Sequence, residues 1–274
     1  MEQTKGYVTL KGKIWGLDNK KPYENDYIKS ISFGLQTKKD NSIFVQLGQW
    51  KNTTLNVKLK GQGMEEILEI NECEAVDKFK EMFSDGDSVF INVRAEVNPL
   101  KKTINYLVNQ VYIENQAINF DADNFEETNF FNTGVIVVEK PVDNKILVGL
   151  TNYQGKMIEQ ELQLNDEEIN EYMVENADVG DMIRLSISIN RKPNYVDNEE
   201  VTSTRKTLKG KVIETGGRRN IDGYTEFLEV IDVDVEKTEK KKYTRPEIRA
   251  AIDEAEVSAT PATAPVPNDD DLPF

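Results

Sequence analysis

The sequence predicts a mainly β chain made of two similar halves, each set of strands interrupted by one helix, with a tail behind them that builds no core. Three observations carry this. Apolar and polar residues alternate through most of residues 1–236, the period of half-buried strands. Each half breaks that alternation once with a stretch of helical period. From Ser258 the text becomes SATPATAPVP, a Pro/Ala/Thr run too poor in large apolar residues to fold.

In GYVTLKGKIWGL, Val8, Leu10 and Ile14 share one face while Tyr7, Lys11, Lys13 and Trp15 share the other. IKSISFGLQT turns Ile31, Phe33 and Leu35 inward. SIFVQLGQW turns Ile43, Val45 and Leu47 inward and leaves Phe44, Gln46 and Trp50 outside. TLNVKLKG continues the alternation with Lys58 and Lys60 outward. The period then changes: Ala75, Val76, Phe79, Met82 and Phe83 recur at helical spacing, and SDG ends the element. Two further strands, DSVFINVRAEV and TINYLVNQVYI, are joined by NPLKKT. Three strands, a helix and two strands is the order of the OB-fold, a five-stranded barrel whose outer face and two loops bind single strands.

The second half repeats the scheme. GVIVVEKP, KILVGL and GKMIEQELQL precede the helical stretch DEEINEYMVENA; DMIRLSISINRKP, TRKTLKGKVIET and TEFLEVIDVDVE follow it. At a constant offset of 94, Gly86-Asp87 falls on Gly180-Asp181, and Val89, Ile91, Val93 and Ala95 fall on Ile183, Leu185, Ile187 and Ile189. Gly and Asp are turn formers, so any strand entered through that pair would share part of the match. Helix, turn and strand agreeing together favour a repeat. The expectation is two tandem OB-fold barrels, residues 1–117 and 118–236, then a linker, 237–267, and a terminal segment, 268–274. In the linker KTEKKKY reads as a solvated charge run. TRPE opens a short helix, with Thr244 and Glu247 in capping-box spacing and Ile248, Ala251, Ile252 and Ala255 in one stripe.

Charge is uneven. The chain carries −15, of which residues 1–117 contribute 0, residues 118–236 contribute −13 and the remainder −2. Any basic surface is therefore local, and the neutral first half is the place for it. The sequence has no histidine and one cysteine. That excludes Ser-His-Asp and Cys-His catalysis and zinc sites built from His or several Cys. Cys73, between Glu72 and Glu74, reads as structural, since neighbouring carboxylates disfavour its thiolate. No apolar run approaches membrane-spanning length and the first residues lack a secretory pattern, so a soluble cytoplasmic protein is expected.

The last seven residues are NDDDLPF. A solubilising role accounts for Asp269, Asp270 and Asp271, but not for an apolar ring at Phe274. Pro273 restricts the backbone ahead of that ring, which lowers the entropy lost when it docks, and the aspartates suit a basic rim. DDDLPF resembles the acidic tip of bacterial single-stranded-DNA-binding proteins. The resemblance implies an OB domain, a disordered linker and a tip, with Asp269, Asp270, Asp271, Leu272, Pro273 and Phe274 recruiting replication, recombination and repair enzymes. The usual family member has one OB domain, a Gly/Gln-rich linker and a tetrameric assembly. Two predicted barrels and a short Ala/Pro/Thr linker look more like a phage-encoded relative acting in the infected bacterial cell, and leave monomer or oligomer open.

Binding single strands needs cations for the phosphates and flat rings for the bases. Tyr7, Lys11, Lys13, Trp15, Phe44, Trp50, Lys58 and Lys60 offer both on the outward faces, and Lys101 and Lys102 lie in the loop that borders an OB groove. Trp15 and Trp50 are the leading candidates, although a lone ring can equally cover an interface or a barrel end. In the second half Arg191, Lys192, Lys209 and Lys211 stand among Arg184, Tyr195, Arg205, Lys206, Arg218 and Arg219. The expected function is sequence-independent binding of single-stranded DNA, with no cofactor, no metal and no catalysis. Two other classes compete. DADNFEE and NDDD could hold Mg²⁺ for a nuclease, and the charge of −15 suits an acidic adaptor or DNA mimic. If the tip competes with DNA for a basic groove, deleting residues 269–274 tightens single-strand binding at low salt and not at high salt. Anisotropy titrations across a salt series check this, and an affinity unchanged at every salt refutes it.

Overall fold

The computed structural model describes residues 1–195, 203–206, 212–215 and 221–259. Its first part contains β1 (Gly6–Trp15), β2 (Tyr23–Glu24), β3 (Lys29–Lys38), β4 (Asn41–Leu47), β5 (Asn56–Lys60), β6 (Leu68–Asn71), α1 (Glu72–Met82), β7 (Ser88–Asn98) and β8 (Thr103–Ile113). β1 pairs antiparallel with β3, β3 with β4, and β4 runs parallel to β8. β8 is antiparallel to β7, and β7 returns to β1. Those five pairings close a barrel, which removes open sheet edges. TLNVKLKG forms β5, which stands outside that cycle as a hairpin with β6 on the flank of β8.

The alternation seen in the sequence sorts the side chains. Val8, Leu10, Ile14, Ile31, Phe33, Leu35, Ile43, Val45 and Leu47 are all buried. α1 plugs the barrel through its apolar stripe: Phe79 stacks on Phe33 at 4.7 Å between ring centroids and meets Phe83 at 4.9 Å. Asn71 caps the helix, accepting from the Cys73 amide at 2.9 Å.

The second part contains β9 (Asn129–Val142), β10 (Lys145–Thr151), β11 (Met157–Gln163), α2 (Glu167–Asn176), β12 (Met182–Tyr195), β13 (Ser203–Lys206), β14 (Val212–Thr215), β15 (Ile221–Glu239) and α3 (Arg245–Ala259). β9, β10, β11, β15 and β12 pair in the same cyclic order as β1, β3, β4, β8 and β7, again with a single parallel step, between β11 and β15. TRKTLKGKVIET, expected as one strand, instead contributes two short strands, β13 and β14, that pair with each other. Among the described residues no helix is long and apolar enough to cross a membrane.

The offset of 94 recurs in hydrogen bonds. Gly86 N donates to Ile14 O at 2.8 Å and Gly180 N to Val137 O at 2.9 Å. Ser84 N donates to Asp87 Oδ2 at 2.8 Å and Asp178 N to Asp181 Oδ2 at 3.0 Å. Gly86 and Gly180 sit at φ +94° and +93°, where a side chain is strained. A Gly-Asp turn alone would not reproduce the bond back to the first strand of each cycle.

β1 and β9 also pair with each other, antiparallel, from Gly6↔Thr133 to Leu10↔Asn129. Val8 faces Val93 and Phe131 faces Ile187. Since Val93 and Ile187 correspond, so do Val8 and Phe131, and these two are partners in the seam. The two cycles are thus related by a local twofold axis through one residue pair. Polar groups lock the seam. Asn129 exchanges hydrogen bonds with Ile189 N and O, while Asn41 donates to Ile189 O at 2.9 Å and accepts from Arg191 N at 2.9 Å.

KTEKKKY differs from the solvated run expected. Lys240 bonds fully buried Asp181, and Lys242 pairs with Glu2 and Glu239. Desolvation raises the Asp181 pKa, but hydrogen bonds from Lys241 N, Asp178 N and Lys240 outweigh it and the net shift is downward. The carboxylate therefore contributes stability above the ordinary aspartate range, and that contribution is lost as pH falls below about 4. Asp181→Asn should cost about 1–3 kcal/mol in denaturant unfolding at neutral pH. The gap to the parent protein should narrow on acidification below pH about 4.

Candidate nucleic-acid interface

Three adjacent strands build one outward row. Trp15 on β1 is paired with Gly34 on β3, and Gly34 with Phe44 on β4. Inward neighbours fill the barrel, so strand alternation forces both rings outside. The indole lies over Gly34, where any Cβ would collide with it. Trp15 and Phe44 meet edge to face, with centroids 5.1 Å apart at 67°. They remain 39% and 41% exposed, which leaves ring surface for a flat ligand.

A cation completes the row, and it comes from the other cycle. The Arg191 guanidinium on β12 sits 4.5 Å from the Phe44 ring centroid. Its backbone is fixed there by Asn41, the first residue of β4. Arg191 is opposite Glu226 on β15, whose carboxyl desolvation pushes up against the pull of the Arg191 charge.

Several predicted lysines are already engaged. Lys11 pairs with Glu114 at 2.9 Å, and the Lys13 ammonium lies 5.3 Å over Phe120. The residues before β9 run beside β1, with Lys11 N bonded to Thr128 O at 3.0 Å. Two carboxylates of DADNFEE are engaged in that packing: Asp121 pairs with Lys39, and Glu127 binds Lys38, Thr37 and Asn41.

The other candidates fall elsewhere. Tyr7 and Lys58 line a cavity of about 470 Å³ with Lys5, Arg94, Asn109 and Gln110, on the β5–β8–β7–β1 side. Lys58 is 3.7 Å from Glu69, and Lys60, half-buried, ends β5. Trp50, 51% exposed, bridges to Ile28. Its carbonyl accepts from the Cys73 thiol at 3.3 Å, a thiol whose pKa burial raises. Beside it the loop after β1 exposes Tyr23 and Tyr27, tied in by Lys51 N to Tyr27 O at 2.7 Å. Neither Tyr23, in the two-residue β2, nor Tyr27 lies in a run long enough to show alternation; the Lys20-Lys21 pair just ahead of them was the available signal.

Lys101 and Lys102 occupy the β7–β8 turn. β7 pairs with β1 from Gly6↔Ala95 to Lys13↔Ser88, so that turn lies beyond one end of β1 while Trp15 is at the other. Lys102 pairs instead with Glu256 of α3 at 2.9 Å. Lys192 follows Arg191 on β12, opposite Thr225. Lys209, Lys211 and the tip from Asp269 to Phe274 lie outside the described residues.

No protein-family model matches the sequence, and no curated protein matches it either. Among solved structures, a deletion mutant of the single-stranded DNA binding protein from Thermus aquaticus is similar at 10% identity. The match covers 85% of this chain and 95% of that one, with a TM-score of 0.44. A likeness that distant fixes neither fold nor function.

Gly34→Ala should drive the indole off its seat. In a Trp50→Phe background, where Trp15 is the sole tryptophan, its emission should shift while far-ultraviolet circular dichroism stays constant. Emission identical to the Gly34 parent would show that the ring does not rest there.

Proposed function

We propose that this protein is a tandem OB-fold protein that binds single-stranded DNA without regard to sequence. The observation that carries the reading is the exposed Trp15–Phe44 pair on the outer barrel face with Arg191 against it. Each base stacked on an aromatic ring contributes about 1–3 kcal/mol, and every base has such a face, so sequence does not matter. A neighbouring guanidinium supplies the phosphate contact and the salt dependence. The shared cyclic order of pairings, with the recurring turn bonds, supports two OB units in one chain.

The tip DDDLPF extends the reading. Held behind the linker, it would bring replication, recombination and repair enzymes to the strand, in a bacterial cytoplasm and under phage direction. The chain would shield single strands without catalysing a reaction, as a monomer or a small oligomer.

An acidic adaptor is the second reading, and one observation favours it: Lys11, Lys58 and Lys102 are each paired with a carboxylate in a chain of net −15. Titration with oligo-dT, following tryptophan emission at low and high salt, separates the two. The groove reading expects quenching by dT that weakens with salt, is absent with duplex of equal length, and is largely lost in Trp15→Ala. No binding at low salt would leave the adaptor, and Mg²⁺-dependent degradation of the oligonucleotide would turn the reading to a nuclease.

A further inference from the structure

The two units are equivalent in strand order but not in what their outer faces carry. Val8 corresponds to Phe131, and Ile14 to Val137, whose carbonyls accept the matching turn bonds. By the same correspondence Lys13 falls on Ile136 and Trp15 on Val138. The Lys13–Gln36–Ser42 row across β1, β3 and β4 falls on Ile136–Gly149–Glu159 across β9, β10 and β11. Two residues along, β11 has Glu161 where β4 has Phe44. The second face thus lacks both rings and the lysine, and carries two carboxylates that would repel phosphate.

That face is also covered. Ile248 and Ala251 of α3 pack on Ile136 and Met157, with Val138, Val179 and Ile252 around them. Lys242 pins the approach to α3 to Glu2 and Glu239, Tyr243 N bonds Gly180 O at 3.0 Å, and Lys102 holds Glu256 farther along the helix.

The second unit reaches the strand site another way. Among the described residues, β12 leaves β9 after Ile187 and continues to Tyr195 paired with β15, forming a two-stranded arm. Arg191, at the base of this arm, is the residue held against Phe44.

We propose that each chain offers one path to a single strand, across the β1–β3–β4 face of the first unit and onto the β12–β15 arm of the second. α3 closes the second unit's own face. The inference rests on the groove reading above and adds that the two units form one site instead of two.

Hydrogen exchange of the full-length protein with and without a dT oligonucleotide tests it, together with affinities of three variants. Protection is expected in β3, β4 and the arm (188–195 and 221–227), and not in β9–β11 or α3. Arg191→Ala should weaken binding about tenfold and lower its salt dependence, as loss of one cation and its ring contact predicts. Trp15→Ala should weaken it too, whereas Arg249→Ala, an exposed residue of α3 at the rim of the covered second face, should leave it unchanged. Protection of β9–β11 with α3, or an Arg249→Ala loss equal to that of Arg191→Ala, overturns the single path while leaving strand binding intact. No binding by the parent protein overturns both readings.

Discussion

A strand has two edges, and β1 uses both of them fully. One edge pairs with β7 along Gly6–Lys13; the other is divided, with Gly6–Leu10 on β9 and Lys13–Trp15 on β3. β9 is shared in the same manner among β1, β12 and β10. This common hydrogen-bonded seam makes two strand cycles one body, because neither first strand can leave without opening its own ring as well. Phe131 and Val8, buried at the crossing, are where the two cores meet.

Everything distinctive about the candidate interface follows from that seam. It brings β12 alongside β4, so that buried Asn41 can satisfy Ile189 and Arg191 at once. Buried amides are costly when unpaired, and the Asn41 amide is answered by the Ile189 and Arg191 backbone of the other unit, which fixes the alignment as well as the contact. The Arg191 backbone is then held by Asn41 while its guanidinium rests against the Phe44 ring. A cation already resting on a ring loses less freedom when it meets a phosphate than one free in solvent.

The charge distribution fits the same geometry. The acidic second half carries carboxylates on α2, β11 and β15, and one of them, Glu226 on β15, stands opposite Arg191 beside the Phe44 ring. Several lysines of the first half are neutralised locally by Glu114, Glu127 and Glu69. The region around Trp15 and Phe44 is consequently modest in charge, and stacking should provide more of the affinity there than phosphate contacts do.

What the sequence determined by itself is local. Period-two alternation assigned the inward residues of β1, β3 and β4 without exception, and the change to period 3.6 located α1 and α2. Trp15 and Phe44 were legible as outward rings because alternation fixes the side of a strand on which a residue emerges, whereas Trp50, expected on the same strand as Phe44, stands beyond its end after Gly48. It does not fix which outward residues become neighbours. Only strand register and the seam decided that Trp15 and Phe44 meet over Gly34, that Tyr7 and Lys58 line a separate cavity, and that Lys102 reaches α3. Only the tertiary structure set Arg191 on Phe44, 147 residues away in the chain, and laid the Ile248 stripe over Ile136. These are contacts between segments whose separation no periodicity encodes, so they arise when the chain closes on itself.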